Sequence, residues 1–219
     1  MNDFRASCVV VFDLDDTLYL EKNYQSSGFK ALINLLTKLY QVDKYSLERI
    51  VAMGGDILQG FANEIGCDSM KESLLWLHRL HLPNISLCPV IKSLLDLLES
   101  KGVAIAILTD GRSITQRLKL VALGLDKYPF FISDEYGGLK KPDLTRFKFI
   151  EKRFPEKKYI YVGDNVEKDF IAPNKLGWIS LCLMPNPDFI HQNNINHYPQ
   201  INAPKNWIRH LNEIEDFLC

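Results

Sequence analysis

The chain has no apolar run long enough to cross a membrane, no excess of charge of either sign, and no paired cysteines. Each absence narrows the reading. A membrane-spanning helix needs about 20 consecutive apolar residues, and the runs here stop well short of that. The first apolar stretch is broken at Asp13, too early for the hydrophobic segment of a signal peptide, so the cytoplasm is the expected compartment. A formal net charge of −1 argues against the broad basic surface with which proteins hold nucleic acid. The five cysteines, Cys8, Cys67, Cys88, Cys182 and Cys219, are odd in number, scattered and without CxxC spacing. They read as reduced, structural thiols. Internal repeats and low-complexity tracts are absent.

What remains is an ordinary globular composition, 47% hydrophobic and 24% charged. A chain of 219 residues suffices for one good-sized domain or a domain with an insertion. Five short apolar runs rich in β-branched or aromatic residues, at 8–12, 103–108, 129–132, 159–162 and 179–183, read as strands. Their near-continuous apolar character suits burial on both faces, as in a parallel sheet. Helical spacing at 89–100, 113–123, 142–153 and 167–176 alternates with them. Pro142 suits a first helical turn, and Pro173 shortens or kinks the last of these helices. The pattern predicts an α/β fold, a doubly wound, mostly parallel Rossmann-like sheet.

The alternation fails between 18 and 87. There, 24–40, 46–65 and 69–80 read as helices, the second interrupted at Gly54-Gly55. The expected division is an α/β core of residues 1–17 and 88–219 with an inserted all-helical cap, 18–87. Placed straight after an acidic loop, the insertion is either a lid or a plain packing subdomain. From Pro185 an Asn- and Pro-rich stretch reads as irregular, and a final helix is expected over 205–218.

Four loops after apolar strands carry the polar chemistry. The first holds Asp13, Asp15, Asp16 and Thr17; the second Thr109, Asp110 and Gly111; the third Lys140, Lys141, Pro142 and Asp143; the fourth Gly163, Asp164 and Asn165, with Asp169 beyond. Asp13 and Asp15 are two apart, so in an extended backbone both point to one side. Crowded carboxylates repel and are costly to desolvate, and a cation between them relieves that cost. Open α/β sheets place their sites at this end of the strands.

Together these motifs resemble the haloacid dehalogenase superfamily, in its phosphatase type with a small helical cap. DxDxT is Asp13-Leu14-Asp15-Asp16-Thr17, the hydroxyl motif is Thr109, the lysine motif is Lys141-Pro142-Asp143, and GDxxxxD runs from Gly163 to Asp169. Each motif is weak alone; four in this order are specific, and the match spans nearly the whole chain. The resemblance implies a phosphohydrolase acting on a small soluble phosphomonoester, with Asp13 as nucleophile and Asp15 as acid and base. It implies phosphate binding by Thr109, the backbone N–H of Asp110, and Lys141. It implies Mg²⁺ held by Asp13, the main-chain carbonyl of Asp15, and Asp164, with Asp169 a direct ligand, a water-bridged one or an orienting group. Oxygen ligands without histidine or thiolate suit Mg²⁺. A phosphomutase shares these residues, and a non-enzymatic binding member keeps the fold; sequence leaves both open, along with oligomeric state. Lys140 reads as a surface charge. His78 and His81, three apart on a predicted helix, read as packing or surface residues. Residues 19, 21, 22, 23 and 24 fall at the core–cap junction, as substrate contacts or as a solvated hinge.

Overall fold

The computed structural model describes residues 8–190 and 199–218. Cys219 and part of the stretch expected to be irregular lie outside them. The chain forms two compact units, 1–22 with 86–219, and 23–85.

The larger unit is built on six strands: β1 (Cys8–Phe12), β2 (Ala104–Thr109), β3 (Phe130–Ile132), β4 (Lys158–Gly163), β5 (Ile179–Leu183) and β6 (Asn206–Ile208). Their order is β3-β2-β1-β4-β5-β6, and every neighbouring pair is parallel. Consecutive residues of β1 are all buried. Alternating side chains of a strand point to opposite faces, so both faces of the sheet are covered. One face packs Val9, Val11, Ala106, Leu108 and Tyr161 against Phe147, Ile150, Phe170 and Trp178. Strand order reverses between β1 and β4, where doubly wound sheets open a crevice at the carboxyl ends of the strands.

The helices follow from local signals. Four fall mainly in the smaller unit: α1 (Glu21–Tyr40), α2 (Lys44–Met53), α3 (Ile57–Glu64) and α4 (Met70–Leu80). Asp43 caps α2 through the Ser46 N–H, and Asp56 caps α3 through the Gln59 N–H. Gly54 and Gly55, both at positive φ, divide the helical stretch expected over 46–65 where the sequence marks an interruption. Leu32, Leu36, Leu47, Phe61 and Leu74 form this unit's own core. The larger unit carries α5 (Pro89–Ser100), α6 (Ser113–Leu123), α7 (Thr145–Arg153) and α8 (Ile171–Lys175).

Three elements depart clearly from expectation. The helix expected over 167–176 is confined to Ile171–Lys175. The helix expected from 142 begins at Thr145, after an Asx turn in which Asp143 Oδ1 accepts from the Thr145 N–H at 2.7 Å. The final helix expected over 205–218 is instead β6 followed by a 3₁₀ segment, Leu211–Phe217. Asn206, Trp207 and Ile208 pair with Leu181, Cys182 and Leu183. An open β5 edge would leave a row of backbone groups unpaired, and pairing outweighs the local helical pattern.

Candidate active site

The first loop leaves β1 in register. Asp13 N–H donates to Val162 O at 2.8 Å, carrying the β1–β4 ladder one residue past the strand and holding Asp13 at the reversal point. Asp16 turns the chain at φ +54°, a conformation Asp tolerates better than most residues. Its carboxylate accepts from Glu21 N–H at 2.8 Å and Ile190 N–H at 2.7 Å. Asp16 is therefore a structural tie, although it also lines the cavity that Asp13 and Asp15 face.

Asp13, Asp164 and Asp169 converge. One carboxylate oxygen from each lies within 4.8 Å of the others, and all three residues are buried. Lys141, also buried, places Nζ 2.8 Å from Asp13 Oδ1 and 2.7 Å from Asp169 Oδ1. Its ammonium is burdened by burial but raised well above the usual lysine range by Asp13 and Asp169. Asp169 also accepts from Asn165 N–H at 3.0 Å, which folds the fourth loop around it. One lysine does not balance three acids. Burial, partly offset by Lys141, pushes Asp13 up to about 6. Burial with the charges of Asp169 and Asp13 pushes Asp164 up to about 9. Three hard oxygen donors at this spacing, with uncompensated charge, fit a divalent cation such as Mg²⁺.

The second loop presents Thr109, buried at the end of β2. Arg146, on α7 and wholly buried, donates to Thr109 O at 2.7 Å and Phe131 O at 3.3 Å and pairs with the Asp110 carboxylate. The Asp110 side chain also accepts from Lys141 N–H and lies 3.6 Å from Lys168 Nζ. Despite burial, Lys141 and Arg146 hold its carboxyl below the usual range. Its side chain is thus committed to bracing the loop.

Asp15 sits in different surroundings. Oδ1 accepts from Lys119 Nζ at 2.7 Å and from the Tyr19 hydroxyl, and Oδ2 from Gln116 Nε2 at 2.9 Å. Burial alone would raise its pKa, but Lys119 and these hydrogen bonds hold it below the ordinary carboxylate value.

The described cavity here is lined by Asp13, Asp15, Asp16, Glu21, Asp110 and Asp164 against Lys140, Lys141 and Lys168, with Thr109 and Gly111 between them. Lys140, read from sequence as a surface charge, is exposed yet lines this cavity. Six acids against three lysines would repel an anionic ligand unless a cation joined it. The sequence reading overlooked Gln116, Lys119, Lys168 and Arg146. A signal existed for the first two. Gln116, Lys119, Leu120 and Leu123 are the buried residues of α6, an i, i+3, i+4, i+7 stripe in which two polar residues occupy core positions, while Ile114 and Val121 are exposed.

His78 and His81 have a packing explanation within the helical unit. His81 Nδ1 lies 2.5 Å from His78 O, and a carbonyl only accepts, so Nδ1 carries the proton. In the neutral ring Nε2 then accepts from Ser27 Oγ at 3.1 Å, and Ser27 Oγ accepts from Asn84 N–H at 2.7 Å. The His78 ring fills the space beside Gly28, where a Cβ would stand 2.5 Å from it.

The sequence model of the haloacid dehalogenase-like hydrolases matches residues 10–182. A glyceraldehyde 3-phosphate phosphatase of Methanocaldococcus jannaschii is 28% identical over 80% of this chain and 84% of that protein. A ribulose-1,5-bisphosphate 5-phosphatase of Halopiger xanaduensis is 27% identical over 82% of this chain and 85% of that protein. Among solved structures, YfnB of Bacillus subtilis bound to magnesium superposes with a TM-score of 0.60 at 17% identity, covering 97% of this chain and 98% of that one. A HAD phosphatase of Thermococcus onnurineus superposes at 0.57 with 22% identity, covering 95% and 96%.

Proposed function

The chain belongs to the haloacid dehalogenase-like hydrolases, and from that premise we propose that it is a Mg²⁺-dependent phosphohydrolase, cleaving a small soluble phosphomonoester through an aspartyl-phosphate on Asp13. The observation that carries this reading is the meeting of Asp13, Asp164 and Asp169 around Lys141, beside a threonine at the end of the adjacent strand. Phosphoryl transfer asks chiefly for alignment and for neutralisation of negative charge.

In the first half-reaction an Asp13 oxygen bonds to phosphorus as the ester P–O bond breaks. The leaving oxygen takes a proton from Asp15. Asp15 is held ionised by Lys119 before substrate arrives; the negative phosphate entering beside it favours its protonated form, and the proton it takes up comes from the phosphate monoanion or from solvent. In the second half-reaction the Asp15 carboxylate removes a proton from water, the water oxygen bonds to phosphorus, and the Asp13–phosphorus bond breaks to release phosphate. Thr109 donates to a phosphate oxygen with the Asp110 backbone N–H, and Lys141 pairs with both the nucleophile and the phosphate. Asp13, the Asp15 carbonyl and Asp164, with Asp169 directly or through water, would hold Mg²⁺, which when bound neutralises charge on the transferring group. The helical unit takes the part of the family's cap on its place in the chain alone. Relatives named for glyceraldehyde 3-phosphate and ribulose 1,5-bisphosphate support a short sugar phosphate as the substrate class.

The test is phosphate release from a panel of phosphomonoesters with Mg²⁺, with EDTA and Asp13→Asn as controls. Release that requires the metal and vanishes in the variant is expected. Turnover retained by folded Asp13→Asn would remove Asp13 from the role of nucleophile.

A further inference from the structure

Helix α6 sends two polar side chains inward toward the site. Lys119 is 3% exposed and Gln116 1%. An ammonium this deep is costly unless paired, and Lys119 is paired with Asp15 Oδ1 at 2.7 Å. Gln116 Nε2 faces three acceptors: Asp15 Oδ2 at 2.9 Å, Thr109 Oγ1 at 2.6 Å and Asp110 O at 3.0 Å. Turning the amide over would set its oxygen against Asp15 Oδ2 and Asp110 O, which only accept, so the orientation is decided by its surroundings. Because Thr109 Oγ1 accepts from Gln116, the Thr109 O–H is left to donate elsewhere, and Thr109 lines the cavity.

The scaffold protects this arrangement. Leu120 and Leu123 anchor the same helical stripe in the core. Gly111 has φ +151°, and a Cβ there would lie 3.0 Å from the Gln116 side chain. A side chain at position 111 would crowd the Gln116 amide.

We propose that Lys119 and Gln116 are positioning residues, Lys119 holding the Asp15 carboxyl and Gln116 tying it to Thr109, so that delivery of a proton to the leaving oxygen and the grip on the phosphate share one alignment. This rests on the phosphohydrolase reading above and adds two residues that act through Asp15 and Thr109.

The experiment exploits leaving-group chemistry. An alkyl phosphate needs a proton delivered to its departing oxygen, whereas 2,4-dinitrophenyl phosphate expels a stable anion without one. The ratio kcat/KM reports only steps through departure of that group. Lys119→Met and Gln116→Met are compared with wild type on both esters, with Mg²⁺. Misaligned acid catalysis typically costs on the order of 10²-fold. We therefore expect Lys119→Met to lower kcat/KM about 10- to 100-fold on ethyl phosphate and by less than about 3-fold on the dinitrophenyl ester, and Gln116→Met, which also loosens Thr109, to lower it on both esters but about 10-fold further on ethyl phosphate. Equal losses on both esters would mark a binding or structural role and overturn the proposal, as would no loss on either. If Lys119→Met does not fold, Gln116→Met keeps the Lys119–Asp15 pair and carries the same test. A wild-type protein inactive on both esters and across the phosphomonoester panel overturns the phosphohydrolase reading and this inference with it. Active wild type, inactive Asp13→Asn and non-discriminating α6 variants overturn this inference alone.

Discussion

Gly163 lies against Asp169 so closely that a methyl group at position 163 would overlap the Asp169 carboxyl. The glycine ends β4, and its missing side chain is the space that lets Asp169 reach Lys141 and the Asn165 N–H. Gly163→Ala is therefore expected to lose about 1–3 kcal/mol of stability through overpacking and to lose phosphatase activity by at least about 10-fold through displacement of a buried carboxylate. Urea denaturation and steady-state kinetics read the two effects. A variant matching wild type in both would show that the Asp169 placement is not constrained by this contact.

The uncompensated acids make stability depend on pH when metal is removed. Asp164 is raised from 3.8 to about 9 and Asp13 from 3.8 to about 6, burial being the first cause of each. A native carboxyl with a raised pKa binds more protons than the unfolded chain between the two values, so stability falls as pH rises through that window. In EDTA the urea midpoint is expected to be lower at pH 8 than at pH 5, and Asp164→Asn should flatten that slope. Mg²⁺ should raise the pH 8 stability, by about 2.7 kcal/mol at 100 times its Kd. Midpoints insensitive to both pH and Mg²⁺ would contradict the proposed cation site.

Asp15 and the acid cluster are expected to separate by function. Asp15→Asn should lower kcat by about 10²- to 10⁴-fold, the range of general acid–base catalysis. Mg²⁺ binding measured by calorimetry should survive, since the Asp15 carboxylate belongs to the Lys119 and Gln116 network and not to the Asp13–Asp164–Asp169 group. Loss of Mg²⁺ affinity would move the Asp15 side chain into the metal site.

Within the helical unit, Ser27→Ala should destabilise without touching the chemistry. It removes the acceptor of Asn84 N–H and the donor to His81 Nε2. Leaving the buried His81 ring nitrogen unsatisfied costs about 1–3 kcal/mol, readable as a lower urea midpoint. An unchanged midpoint would show that water satisfies both groups.

Much of this was legible beforehand because its causes are local. The runs at 8–12 and 179–183 are strands with those bounds, since buried parallel strands must be apolar throughout. The Gly54-Gly55 break is a real helix boundary, since two residues at positive φ end a helix wherever they fall. The C-terminal strand was hidden because Asn206–Ile208 is too short for a periodic signal, and its pairing with β5 is made across the fold. Lys119 and Gln116 were hidden for a related reason: on a helix, a charged residue and an amide ordinarily mark the solvent face.

Sequence alone determined the alternation of strands and helices, the run of helices that follows β1, and the acids, threonine and lysine at the ends of strands. Those features are written in hydrophobic spacing and in short motifs. Only the tertiary structure decided that Asp16 ties loops while Asp13 faces Lys141, that Asp110 spends its side chain on Arg146, and that Lys119 turns inward to Asp15. The partner of a buried charge is chosen by packing between segments far apart in the chain. The energy of that choice, desolvation against pairing, exists only once those segments have met.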